Sequence, residues 1–583
     1  MKKAVSLFLA VLMIAASLAG CTTLKKTATG DYDKGAIIKM YLTSEIYNFD
    51  PQQSMTDDSM LKVMSLLYEG LTKLGANGKW ENAIMKKYKI EKDTENEFSI
   101  LVYLKDTRWS DARTVQASDF TYAWKRMLDP DSKCEAATLL YDIKNASDIK
   151  LGDATIDDLG ATAVDTYTLR IEFDHKIDLD DFFTKCASIA LVPLREDVIS
   201  HYGEEHWSAK TTTIVTNGPF VPKGIEYGEL LRLDRNAYYY INQDKNEAPD
   251  KYVIPYRIVT EYSRGDAEDM LAAFDAGEIF FDGDLPLSVR ADYEKKATVT
   301  DMAASHTYMF NTQNELFSDA RVRKALSLAL DRDAIADIVV FAQAATGLIT
   351  NKVFDVKTGS SFRKNGGKLI ESTADVEAAK ALLREAGVTR GSFDITVRDS
   401  EVDLAVADYV KGVWEDLGFD VGIRKLSTSR FKGDSAIAVD DFNVAYDSGD
   451  FDVIAYDMIM LSPDPFQALA QFAVAFSGNG VDMASDTYDL YGNVSGYNSE
   501  EYNELIASAN AETDEAKKFA LLHEAEEKLI EDMPVMPLVF LKNAFISNKK
   551  VLSGIETNYD GTVDFSGTKQ KNYMSYKEAE TEE

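Results

Sequence analysis

The chain has 583 residues, 45% hydrophobic and 11% aromatic; this is ample for large apolar cores and too long for one ordinary domain, so two or three are expected. Its 97 acidic residues against 63 Lys and Arg give a net charge of −34, which excludes nucleic acid as a partner because a phosphate backbone would be repelled. The acidity by itself signifies solubility and assigns no function.

The first residues read as a leader. Lys2 and Lys3 are followed by the uncharged stretch Ala4 to Ala16 and by the small residues Leu18-Ala19-Gly20, directly before Cys21. The apolar stretch falls short of the roughly 18–20 residues a spanning helix needs, so it predicts a cleaved signal peptide over 1–20 and not a permanent anchor. Leu-Ala-Gly-Cys resembles the bacterial lipobox, in which the cysteine is acylated and becomes the first mature residue; an ordinary signal peptide followed by a chance cysteine is the alternative. Cys21 is then the lipidation site, and two or more acyl chains suffice for stable attachment to the lipid bilayer. The expected location is the cell envelope, extracytoplasmic and lipid-anchored. Of the remaining cysteines, Cys134 and Cys186 could pair in an oxidising compartment, and their spacing leaves that open.

Residues 21–35 are small and polar and read as a flexible tether. Order is expected from Ala36, where IIKMYLTSEIYNF is strand-like. Ser59 to Leu71 has the apolar spacing of an amphipathic helix, and Phe98 to Leu104 reads as a strand. Ser118 to Leu128 reads as a helix with a Ser N-cap, stopped by Asp129-Pro130. Asp319 to Leu330 and Asp375 to Ala386, before Gly387, predict further capped helices. Glu515 to Asp532 predicts a long one, with Thr513 or Asp514 at its start and Pro534 beyond its end. Helices and strands alternate throughout, so the class is α/β or mixed.

No catalytic signature emerges. There is no G-x-S-x-G, H-E-x-x-H, P-loop or dinucleotide fingerprint, and no cofactor is implied. His201 and His206 are five apart, unlike the i, i+4 pair that binds zinc. The acidic runs Asp447 to Asp452 and Asp31 to Gly35 lack the calcium-loop register, so no metal site is expected. The expected role is not enzymatic.

Several phrases carry a family resemblance. Tyr47 to Trp80 (YNFDPQQSMTDDSMLKVMSLLYEGLTKLGANGKW) and Phe98 to Pro130 (FSILVYLKDTRWSDARTVQASDFTYAWKRMLDP) resemble the bacterial extracellular solute-binding proteins of the oligopeptide and dipeptide transport family. TNGPF (216–220), LDRNAYYY (233–240), AFDAGEI (273–279) and FNTQNELFSDARVRKALSLALDRDAI (310–335) follow in the family's order. AKALLREAG (379–387), GYNSEEYNELIASA (496–509) and EAEEKLIEDMPVMPL (524–538) complete the series, which spans about residues 36 to 560. Read as local chemistry, Asn217-Gly218-Pro219 is a turn whose glycine suits positive φ, and each phrase specifies scaffold instead of touching ligand.

The resemblance implies an α/β, two-lobed periplasmic-binding-protein-like fold of type II, the large oligopeptide-binding class with an extra subdomain in lobe one. Its expected division is 36–71, 190–305 and 546–575 for the core of lobe one, 72–189 for the extra subdomain, 306–545 for lobe two and 576–583 for an acidic tail. It further implies a monomeric binding component of an ABC importer, which closes its lobes on an oligopeptide or other small solute and delivers it to membrane permease subunits. In the family's peptide binders an aspartate in the turn after a lobe-two strand receives the peptide's ammonium. The matching position here, counted back from Pro465, is Leu461, while Asp464 is expected to be structural. Either Asp457 substitutes or the cargo has no free amino terminus. The expected ligand wall is Tyr456, Asp457, Met458, Ile459 and Leu461, with Met55 and Asp57 facing it. The alternatives are a non-peptide cargo such as an oligosaccharide, for which Trp80, Trp109, Trp124, Trp207 and Trp414 are the tryptophans on offer, and an extracellular enzyme or sensor.

Overall fold

The computed structural model describes residues 35–53, 58–94, 97–239, 248–355, 358–427, 438–477 and 493–571, together with the short strand 430–431. Cys21, Met55 and Asp57 therefore lie outside the described residues. Two large hydrophobic cores organise the chain: one gathers Ile38 through Ile258 with Phe281, Phe545 and Phe565, the other Tyr308 through Val539. The architecture is two-lobed α/β.

In lobe one, strands Ile37–Lys39, Arg257–Thr260, Leu230–Arg235 and Phe220–Glu226 lie side by side in that order. The first pair is parallel and the rest antiparallel. The expected strand after Ala36 ends at Lys39, although Met40 still donates its N–H to Val259 O at 2.9 Å. A second antiparallel sheet runs Met85–Asp93, Phe98–Leu104, Thr168–Phe173 and Ala161–Asp165. Its edge strand Met85–Asp93 is exposed almost throughout and rich in lysine, which discourages pairing with other chains. Helix Ala117–Leu128 packs against this sheet, and its apolar residues join the core of lobe one. Ser118 is not its cap. The cap position is Gln116, whose N–H is accepted by the Asp119 carboxylate at 2.9 Å. Asp119 also accepts from Trp109 Nε1 at 2.9 Å and from Arg113, so one buried acid ties together the ends of the WSDARTVQASD phrase.

A seven-stranded sheet begins beside the core of lobe one and continues through lobe two, in the order Phe281–Asp282, Val535–Ser547, Thr298–Phe310, Val453–Ile459, Ser392–Arg398 and Asp420–Leu426, with Ala342–Ala344 also paired to Val535–Ser547. Thr298–Phe310 and Val535–Ser547 are each 13 residues long and pass from one core to the other: Met302 and Phe545 belong to the first, Tyr308 and Val535 to the second. Their register slips between Asp301 and Ser305, where the chain leaves the first core. Such an irregularity locally weakens the ladder and bends it, which suits a hinge. The helices over this sheet start as the sequence predicts, with Asp319, Asp375 and Asp514 each accepting a backbone N–H of the first turn. Cys134 and Cys186 are both free and buried.

Candidate functional site

Helix Asp58–Leu67 buries Met60, Val63, Met64 and Leu67 and ends before Tyr68, short of the predicted Leu71. A distant turn fixes this end. Gly218 donates its N–H to Leu67 O at 2.8 Å, Asn217 Nδ2 donates to Glu69 O at 2.9 Å, and Glu69 N donates to Asn217 Oδ1 at 3.1 Å. A Cβ on Gly218 would stand 2.5 Å from the carbonyl carbon of Leu67, so the glycine of the TNGPF phrase permits close approach of two backbones. Its φ is not positive, which corrects the reading of a left-handed turn.

The clamped backbone delivers Glu69 to a cavity of about 180 Å³ between the lobes. Lobe one contributes Leu61, Tyr68, Glu69, Lys73, Tyr239 and the segment Asn558 to Asp560, and lobe two contributes Lys352 and Ile459 to Pro463. Tyr239 donates its hydroxyl to Glu69 Oε1, while Glu69 Oε2 is buried without a partner. Burial raises the Glu69 carboxyl above its ordinary range; Asp564 adds to this, and Lys73, the Tyr239 hydroxyl and Lys105 oppose it. Lys352 Nζ sits 4.7 Å from the ring centre of Tyr559, whose hydroxyl donates to Lys352 O at 2.7 Å. The cavity thus presents both signs of charge within an aromatic and aliphatic wall.

Of the residues expected from sequence, Ile459 and Leu461 line this cavity. Leu461 packs its side chain against the core of lobe one. Asp457 and Met458 lie elsewhere: Asp457 shares a strand face with Ile459 but sits two residues back from the cavity, and Met458 points to the opposite face. Asp457 Oδ1 stands 2.6 Å from His306 Nδ1 on the neighbouring strand, and Met458 is wholly buried in the second core. Tyr456 reaches across to lobe one: its hydroxyl donates to Glu135 Oε2 at 3.0 Å, beside Tyr446 donating to Glu135 Oε1 at 2.6 Å. The two tyrosine rings stack at 4.8 Å. Burial raises the Glu135 carboxyl, and the two hydroxyls pull it back. Glu69 was missed by the sequence reading although it stands in the quoted phrase LLYEGL. An acid where an apolar helix stops, beside a glycine, was the available signal.

Further ion pairs cross the gap. Lys185 of lobe one meets Asp142 and Asp181 of its own lobe at 2.8 Å each and Asp464 of lobe two at 3.3 Å. The last is off hydrogen-bond geometry, since Asp464 Oδ2 has no hydrogen-bond partner, so the contact is an ion pair only. Lys518 of lobe two lies 3.7 Å from Asp181. Burial pulls the Lys185 pKa down, but Asp142, Asp181 and Asp464 together outweigh it and hold the ammonium charged. Asp464 also caps helix Pro465–Ala470 by accepting from Phe466 N at 3.0 Å. These contacts hold the lobes closed over the cavity. None of the five tryptophans lines it: Trp109, Trp124, Trp207 and Trp414 are buried in the cores, and Trp80 Nε1 donates to Asp180. Among the described residues no His, Cys, Asp and Glu group could hold a metal ion, and no helix is long and apolar enough to cross a membrane.

Residues 80–480 match the family model described as bacterial extracellular solute-binding proteins, family 5 middle. The dipeptide-binding protein DppE of Bacillus subtilis is 25% identical over 94% of this chain and 95% of its own length. The oligopeptide-binding protein OppA of the same organism is 25% identical over 97% and 99%. The structure of Listeria monocytogenes OppA bound to peptide superposes with a TM-score of 0.75 at 20% identity, covering 92% of this chain and 99% of that one.

Proposed function

The chain belongs to the bacterial extracellular solute-binding proteins of family 5, and on that footing we propose that it is the substrate-binding component of an ABC importer, taking up peptides between its lobes and passing them to a membrane permease. The observation that carries the reading is the cavity itself: it is walled by both lobes, carries a carboxylate and an ammonium, and lies beside ion pairs that run from one lobe to the other. A peptide offers the matching charges at its ends and backbone groups between them. The protein works as a monomer held to the membrane outside the cytoplasm through acylated Cys21, and it releases its cargo unchanged.

Leu461 favours a second reading, in which the cargo has no amino terminus, as an oligosaccharide would not. The charged groups of the wall weigh against a sugar, which would leave a carboxylate and an ammonium without counter-charges. Thermal shift decides between them. A tryptic digest is expected to raise the unfolding midpoint and an oligosaccharide mixture to leave it unchanged, since only a ligand of the folded state stabilises it. The reverse result would establish the sugar reading.

A further inference from the structure

At Tyr559 the interlobe cavity comes close to solvent. Leu74, Lys352 and Tyr559 line it there, while Phe354 and Gly78 touch the Tyr559 ring from behind and lie outside the cavity wall. Phe354 meets that ring edge-on, with centres 5.5 Å apart and planes at 82°. A Cβ on Gly78 would lie 2.8 Å from Tyr559 Cε2 and 3.0 Å from Phe354 Cε1, so backbone alone fills the gap between the rings. Gly78 has φ +77° and donates its N–H to Gly75 O at 2.9 Å, in the tight turn between strands Thr72–Leu74 and Trp80–Asn82. Ala76 and Asn77, at the tip of that turn, are exposed. Tyr559 and the two residues behind it therefore separate the cavity from solvent on this side.

The barrier is built from both lobes, with Tyr559 and the turn from lobe one and Lys352 and Phe354 from lobe two. Its ring is held firmly: the hydroxyl donates to Lys352 O at 2.7 Å, and Lys352 Nζ sits 4.7 Å from the ring centre. A ligand chain running on in this direction would have to displace it. The cavity, about 180 Å³, is also smaller than the roughly 300–1,000 Å³ of sites for drug-sized ligands, so a few residues fill it.

We propose that Tyr559, backed by Phe354 and the turn at Gly78, is a stop in the cavity wall that restricts this protein to short peptides, of about two to four residues. The inference rests on the peptide reading above and names the residues that set the length. Because each lobe carries part of the stop, length is read as the lobes come together.

The test offers purified protein an equimolar mixture of random-sequence peptides of two to eight residues and identifies what is retained by mass spectrometry. Retention is expected to fall by about tenfold or more beyond four residues, the cost of forcing extra atoms into a filled space. Tyr559→Ala and, independently, Phe354→Ala should move the fall to greater lengths, whereas Tyr559→Phe, which keeps the ring, should leave it in place. Retention that does not fall with length in the unmodified protein, or a fall unmoved in both alanine variants, would overturn the stop while leaving peptide binding intact. A Tyr559→Phe profile like that of Tyr559→Ala would overturn it too, since the ring would not be what blocks the chain. Retention of no peptide of any length would overturn the peptide reading and this proposal with it. The profile of the unmodified protein needs no variant, so the proposal stays open to refutation however the variants fold.

Discussion

Gly218 donates its backbone N–H to the carbonyl of Leu67 at 2.8 Å, across 151 residues of chain, and so decides where Glu69 stands. An added methyl group would lie 2.5 Å from the Leu67 carbonyl carbon and 2.6 Å from Tyr68 N, and backbone cannot yield as a flexible side chain does. Gly218→Ala is therefore expected to lower stability by about 1–3 kcal/mol, the usual range for overpacking. It should also weaken peptide binding by moving Glu69. Urea denaturation and calorimetry read the two effects separately.

Stability should depend on pH through Glu69. Its folded carboxyl titrates above the ordinary range, chiefly through burial, with Asp564 adding to the rise and Lys73, Tyr239 and Lys105 opposing it. The folded chain therefore holds this proton more tightly than the unfolded chain does, so the contribution to stability is complete below the ordinary carboxylate range and is lost as pH rises through the raised value. The loss should flatten in Glu69→Gln. Thermal unfolding of both proteins at a series of pH values checks this.

Tyr456 acts on closure. Its hydroxyl bonds Glu135 only while the lobes are together, so Tyr456→Phe removes about 0.5–1.5 kcal/mol from the closed state. Peptide affinity should fall about threefold to tenfold, and small-angle scattering should show a larger open fraction without ligand. Unchanged affinity and scattering would mean that Tyr446 alone suffices.

Glu526 and Arg363 form a buried ion pair in lobe two, and Glu526 also accepts from Leu348 N at 2.9 Å and Ile349 N at 3.0 Å. Removing one member leaves the other charged and buried. Arg363→Met is expected to destabilise the protein by about 3–5 kcal/mol. Equilibrium unfolding measures this directly.

Much of the scaffold was legible because local chemistry decides it. Asp319, Asp375 and Asp514 announce helix starts by the short carboxylate each carries before an apolar stripe, and Gly387 announces a stop. The site was less legible because strand pairing and long-range clamps place it. Asp457 looked available as an acid until the strand pairing set it opposite His306. Glu69 looked like part of a helix until Asn217 and Gly218, far along the chain, ended that helix before Tyr68. Counting back from Pro465 expects Leu461 at a ligand; the structure shows a leucine in the cavity wall, packed against the core of lobe one.

Native mass spectrometry of the purified protein, followed by denaturation and identification of what it releases, tests the central claim most directly. Peptide binding between closed lobes predicts a bound population whose added mass resolves, on release, into short peptides. Release of an oligosaccharide, or of any uncharged ligand without a peptide bond, would contradict it.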